Sequence, residues 1–185
     1  FAATASGVRV HATRDGEPLE LLPGTLVLAA GVYETPGILQ RSGVGDAVRL
    51  RAAGIEPLID LPGVGANLHD HPMIGTDRVI GPELQGSLDD AEAAGFLPEE
   101  QTLGKALSSL AHDGLFDLHL FPVCWSTQTS LLQGRVAVEV ACVTPRSRGR
   151  CDVVSSDPSA APAIDHAYLS DPDGHDLAVL RDGLR

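Results

Sequence analysis

The residues best placed to do chemistry run from Gly31 to Gly45: Gly-Val-Tyr-Glu-Thr-Pro-Gly-Ile-Leu-Gln-Arg-Ser-Gly-Val-Gly. Ala29, Ala30 and Gly31 carry almost no side chain, so a ligand can approach the backbone there. Thr35 suits a helix N-cap, with Pro36 at the first helical position, where it loses no bond. The free N–H groups of such a helix start attract negative charge, and a dinucleotide pyrophosphate or a flavin edge would fit. The plain alternative is strand–helix packing, in which small residues merely allow close contact.

Other side chains offer less. His69 and His71 flank Asp70 and can be read as a metal pair, but no third ligand stands at useful spacing, so no metal is assigned. His119 reads as an ordinary strand histidine. Trp125 can line a cavity, though a lone Trp more often serves a core. Arg146, Arg148 and Arg150 read as a solvated hairpin, and His166 and His175 as surface loop positions. No Gly-x-Ser-x-Gly elbow is present.

The elements that would position these groups follow from patterning. Val8–Ala12 and Leu19–Leu22 form an expected hairpin about Arg14-Asp15-Gly16. The apolar run Thr25–Gly31 reads as a strand buried in a parallel sheet. A helix is expected from Thr35 to Gly43 and a second from Asp46 through Ala53, closed by Gly54. Ile55–Leu61 reads as a short strand, and Pro62–Gly65 as a tight turn leading into Asn67–Pro72. Beyond Pro72 a helix is expected at Gln101–Ala111, then antiparallel strands at Phe116–Trp125, Arg135–Thr144 and Arg150–Ser155, with turns at Gln133-Gly134 and Ser147–Gly149. Asp157–Pro162 reads as a loop, and Asp171–Gly174 starts a last helix.

With 185 residues, 43% hydrophobic and 21% charged, the chain can bury a core. A net charge of -12 without a basic stripe argues against nucleic acid as partner. No apolar run approaches the ~20 residues of a transmembrane segment. Three cysteines, Cys124, Cys142 and Cys151, read as reduced thiols. They, and the lack of a visible signal peptide, give a cytoplasmic expectation.

The ordered motifs resemble the glucose–methanol–choline (GMC) oxidoreductases. Thr35-Pro36, Ile38-Leu39 and Ser42-Gly43-Val44-Gly45 fit that family's second signature. Leu50–Ile55, Leu61–Pro72, Pro145–Gly149, Asp157-Pro158 and Tyr168–Pro172 follow in family order. The resemblance implies an α/β plus α+β fold. Part of an FAD/NAD(P)-binding-type domain (1–75) would join a substrate domain with a largely antiparallel sheet (76–185). It implies FAD, bound covalently or not, and a hydride passed from an alcohol carbon to the flavin. O₂ or another acceptor would take the electrons. Cofactor contacts are expected at Ala30, Gly31, Thr35, Asn67, Asp70 and His71.

The family's glycine fingerprint and its C-terminal catalytic histidine find no match, so the chain reads as an internal fragment with no catalytic residue assigned. In choline-oxidising members an acidic residue follows the His-Pro pair; here Met73 stands there, which the resemblance reads as favouring a neutral or bulkier alcohol. Two competing readings are a non-catalytic binding module on the same scaffold and a nicotinamide dehydrogenase. The latter lacks the glycine fingerprint and an acidic ribose ligand.

Overall fold

A computed structural model describes residues 2–4, 7–95, 102–124 and 134–185. The chain divides into two compact units: Phe1–Leu68 with Arg148–Ala167, and His69–Ser147 with Tyr168–Arg185.

In the first unit β1 (Ala2–Thr4), β2 (Gly7–Arg14) and β3 (Glu17–Leu21) form an antiparallel meander. The β2–β3 hairpin is the expected one. Asp15 at φ 54 and Gly16 at φ 85 make its two-residue turn with the backbone twist that hairpin strands need.

The Thr25–Gly31 strand is not formed. Among the described residues no strand pairs with this run, and Val27 is 79% exposed. An apolar sequence can fill a parallel sheet only where neighbouring strands accept its hydrogen bonds.

The next helix also starts earlier than expected. α1 spans Gly31–Arg41 with Ala30 as N-cap, so Thr35 and Pro36 lie inside it. Gly31 at φ 90 turns the chain into the helix, and the Ala30 N–H donates to Thr35 Oγ1 at 3.0 Å. The missing N–H of Pro36 deprives only the Val32 carbonyl of its partner, and Val32 is on the exposed side. The helix stops at Gly43 as predicted, with Gly43 at φ 81 and Ser42 as the C-cap.

After β4 (Val44–Gly45), α2 (Ala47–Ala52) is capped as expected: Asp46 accepts from the Val48 and Arg49 N–H groups. Of the strand expected over Ile55–Leu61, only β5 (Ile59–Asp60) forms, parallel to β4. The Pro62–Gly65 turn leads into β6 (Ala66–Leu68). Leu50, Ile55 and Val153 are the buried core here.

The second unit opens with β7 (Met73–Val79), an exposed strand that the sequence pattern did not reveal. α3 (Pro82–Ala93) follows, with Pro82 at the head of the helix. Where described, the expected Gln101–Ala111 segment is not helical; it holds β8 (Gly104–Ala106) and a turn. Two pairings decide this. Gly104–Ala106 bonds to the next strand, and buried Asp117 takes both the N–H and the hydroxyl of Ser108. β9 (Leu118–Cys124) and β10 (Arg135–Cys142) are antiparallel as expected; Trp125 and Gln133 lie outside the described residues. The sheet order is β7-β10-β9-β8.

β11 (Gly149–Asp152) belongs to the first unit, between β12 (Ala163–Asp165) and β6. It does not pair with β10, so the three arginines do not sit on a hairpin. Arg150 instead grips Asp152 with two hydrogen bonds of 3.0 Å. Asp157–Pro162 is a loop.

The last helix, α4 (His175–Gly183), starts where Asp171–Gly174 predicted. Leu118, Val140 and Cys142 on one face of the sheet pack against Val179 and Leu180 of α4. Burying each such leucine or valine contributes roughly 1.5–3 kcal/mol. A side chain at Gly183 would strike Val140, so this glycine sets how closely α4 approaches the sheet. No described helix is long and apolar enough to cross a membrane.

Candidate functional site

In the first unit the run into α1 is open. Ala29, Ala30 and Gly31 are exposed, and a Cβ at Gly31 would meet nothing within 4 Å. Leu26–Ala29 make no hydrogen bond among the described residues. The backbone is therefore accessible as the sequence predicts, although as an unpaired segment and not as a strand. The Ala30 N–H is taken by Thr35 Oγ1, so Thr35 stabilises the turn from within. Tyr33, on the next turn, donates or accepts with His166 Nε2 at 3.0 Å. His166 is thus half-buried and partnered, not a free surface residue.

Further along α1 is a sealed crossing that the sequence reading missed. Gln40, only 3% exposed, donates to the carbonyls of Val64 (3.2 Å) and Cys151 (3.1 Å) and accepts from the Val153 N–H (2.8 Å). Its amide satisfies three backbone groups on two segments far apart in sequence. Gly65, at φ 78, lies against it; a Cβ there would overlap Gln40 and the Cys151 carbonyl. A glutamine between Leu39 and Arg41 gives no sequence signal of such a role. Asn67 follows at φ 62, exposed, in β6.

Asp70 and His71 belong to the second unit. Asp70 accepts from the His71 N–H at 2.8 Å and from the Tyr168 hydroxyl at 3.3 Å. Both residues border a cavity of about 540 Å³, whose walls include Met73, Ile74, Leu177 and Leu180. The His71 ring also meets His119, edge to face, with centroids 6.0 Å apart. His119 in turn stacks on Phe116 (5.6 Å) and abuts Phe121 (6.0 Å). Burial, then the nearby His71 and Lys105, lower its pKa below the usual imidazole value. His119 is thus part of an imidazole–phenyl cluster, beyond the plain strand histidine expected. Lys105 places its ammonium 4.4 Å from the Phe116 ring centroid.

Other titratable groups serve the scaffold. His175, expected on the surface, is buried at the head of α4, where its N–H donates to Asp171 at 2.6 Å. Asp176 is fully buried and accepts from the Arg146 (2.7 Å) and Ser147 (3.0 Å) N–H groups. All three cysteines are free, and burial pushes the Cys142 thiol up to about 11. Among the described residues no group of three or more His, Cys, Asp or Glu can hold a metal ion.

Residues 2–73 match the family model for GMC oxidoreductases. The chain is 32% identical to choline oxidase of Arthrobacter globiformis over 86% of its own length and 29% of that protein. It is 32% identical to 5-(hydroxymethyl)furfural oxidase of a Methylovorus species over 95% of its own length and 31% of the relative. The chain thus spans about a third of the length of the curated relatives it matches. Among solved structures, pyridoxine 4-oxidase from Mesorbium loti superimposes with a TM-score of 0.71 at 20% identity, over 96% of this chain and 35% of that one. A formate oxidase gives 0.70 at 21% identity, over 99% and 38%. These likenesses establish the expected fold.

Proposed function

Because this chain belongs to the GMC oxidoreductase family, we propose that it forms part of the flavin-binding and alcohol-facing framework of an enzyme that oxidises a CH–OH donor. The cofactor of the family is FAD, which when bound supplies the ring that accepts a hydride from the alcohol carbon. The observation that carries the reading is the open run Leu26–Gly31. Val27 and Ala29–Gly31 in it are exposed while Leu26 and Leu28 are half-buried, its end is nearly devoid of bulk, and no described neighbour stands beside Gly31. Those features fit a flat ring system lying along the backbone.

Each residue has a defined part. Ala30 and Gly31 offer bare backbone. Thr35 fixes the turn by holding the Ala30 N–H, which leaves the later N–H groups of the first helical turn to face an anionic or polar group. Asn67 would contribute from its positive-φ position. Asp70 orients the backbone of His71, and His71 presents its ring to the cavity side. No residue of this chain is assigned as the base that takes the alcohol proton. The flavin part is placed on residues 1–75 and the substrate part beyond. That Arg148–Ala167 shares a compact unit with the N-terminal stretch supports counting it with the flavin part as well. O₂ or another acceptor would reoxidise the flavin.

The test is spectroscopic. Protein expressed from the complete reading frame should be yellow, and an alcohol added without oxygen should bleach the flavin absorbance. Correctly folded, colourless protein would overturn the proposal.

A further inference from the structure

The two ends of α1 are held by different means. Its far end is locked: Gln40 bonds three backbone groups, and Arg41 donates to the Ala160 carbonyl. The head adjoins the bare backbone of Ala30 and Gly31, and Val32 and Glu34 there are exposed. Among the described residues, the hydrogen bonds that tie this first turn to distant segments both run through Tyr33. Its hydroxyl shares a hydrogen bond of 3.0 Å with His166 Nε2, 133 positions away, and its carbonyl accepts from the Cys151 thiol at 3.6 Å.

The anchor at His166 is itself fixed. It follows β12, and the Ala167 N–H closes a turn onto Asp165 at 2.8 Å, with Ala167 at φ 49. The backbone of Asp165 and His166 lies so close to Gly149 of β11 that a Cβ there would overlap it. β11 in turn is paired on both sides, with β6 and β12. The Tyr33 and His166 rings meet edge to face, with centroids 6.1 Å apart, which restricts the phenol further. A half-buried tyrosine held at both hydroxyl and carbonyl leaves little freedom to the turn that bears it.

We propose that Tyr33 and His166 form a positioning pair that holds the head of α1, and with it the Ala30–Gly31 backbone, in the geometry that receives the flavin. This rests on the reading of that run as the flavin surface. Neither residue is assigned a contact with the cofactor; the hydroxyl acts through the helical turn. The helix would form without it, because the Gly31 turn, the Thr35 bond and the Gln40 crossing remain. What the pair decides is how much of the time the head stands where the ligand needs it. A site whose competent geometry is only partly populated binds more weakly by that fraction. One hydrogen bond, net of what water offers, shifts such a population severalfold.

The test uses the complete protein, freed of flavin and titrated with FAD by fluorescence quenching. Tyr33→Phe keeps the ring and loses the hydroxyl; FAD should bind about fivefold more weakly, and the visible circular dichroism of the bound flavin should change. His166→Leu, which removes the partner and leaves the tyrosine, should do the same, and His166→Gln should recover most of the affinity. The double variant Tyr33→Phe/His166→Leu should lose no more than either alone, since both remove one strut. A tyrosine that merely stabilises the fold would lower the denaturation midpoint and leave FAD affinity and the flavin spectrum unmoved. Wild-type affinity and spectrum in Tyr33→Phe or in His166→Leu, or losses that multiply in the double variant, would overturn the proposal. A wild-type protein that binds no FAD takes down the functional reading and this pair together, whereas a flavin-binding wild type with unaltered variants removes the pair alone.

Discussion

The run Leu26–Gly31 and the crossing where Gln40 of α1 meets the Gly65 turn and β11 lie in one compact unit, and each turns on a glycine. They differ in who satisfies the backbone. At the crossing, a buried amide takes three main-chain groups and leaves no room for a Cβ at Gly65. In the open run, four residues make no hydrogen bond with any described residue, and no described atom stands beside Gly31. The glycines of the motif thus do two jobs. One admits the protein's own side chain; the other leaves its surface open, where the proposed function puts the cofactor.

The sharpest way to break this contrast is Gly65→Ala. A positive φ and overlap with backbone at Cys151 should cost roughly 4 kcal/mol or more, read as a fall in the denaturation midpoint. A neutral Gly65→Ala would mean that the crossing is not sealed. The second unit has a sealed counterpart in Asp176, and Asp176→Ala should cost about 3 kcal/mol by stranding the Arg146 and Ser147 N–H groups.

Asp176 also sets a pH signature. Burial by itself would raise its pKa, but hydrogen bonds from Arg146 and Ser147 outweigh that and hold it below the ordinary carboxylate value. A depressed folded-state pKa means that its contribution is present above the unfolded value, about pH 4, and is lost as pH falls through the folded value. Acid denaturation should therefore steepen below about pH 4 and be flatter in Asp176→Asn.

Gly31→Ala should be far milder than Gly65→Ala. Only the positive φ opposes it, at about 1 kcal/mol, so the midpoint should shift little while flavin content falls. Comparable losses at the two glycines would erase the distinction. The smallest expected effect is chemical. With its thiol pushed up to about 11, Cys142 should resist a thiol reagent at pH 8 in the native protein, while half-buried Cys124 reacts first.

Local chemistry made the turns and caps legible in advance. The Asp15-Gly16 hairpin, the Asp46 cap, the Gly43 and Gly54 stops, the Pro62–Gly65 turn and the start of α4 depend on residues within a few positions of one another. The cysteines were equally readable as free thiols.

What sequence alone determined, then, is whatever a residue and its near neighbours can satisfy between themselves, together with the ordered motifs that tie the chain to its family. Tertiary structure decided the rest, because those outcomes depend on partners distant in the chain. Thr25–Gly31 has the composition of a buried strand but no neighbour to complete its ladder among the described residues. Gly104–Ala106 became a strand because β9 accepts it, and Gln40 and Tyr33 acquired their partners in Cys151 and His166, 111 and 133 residues away by numbering. A hydrogen-bond donor or a charge is visible in a sequence; the group that meets it across a fold is not.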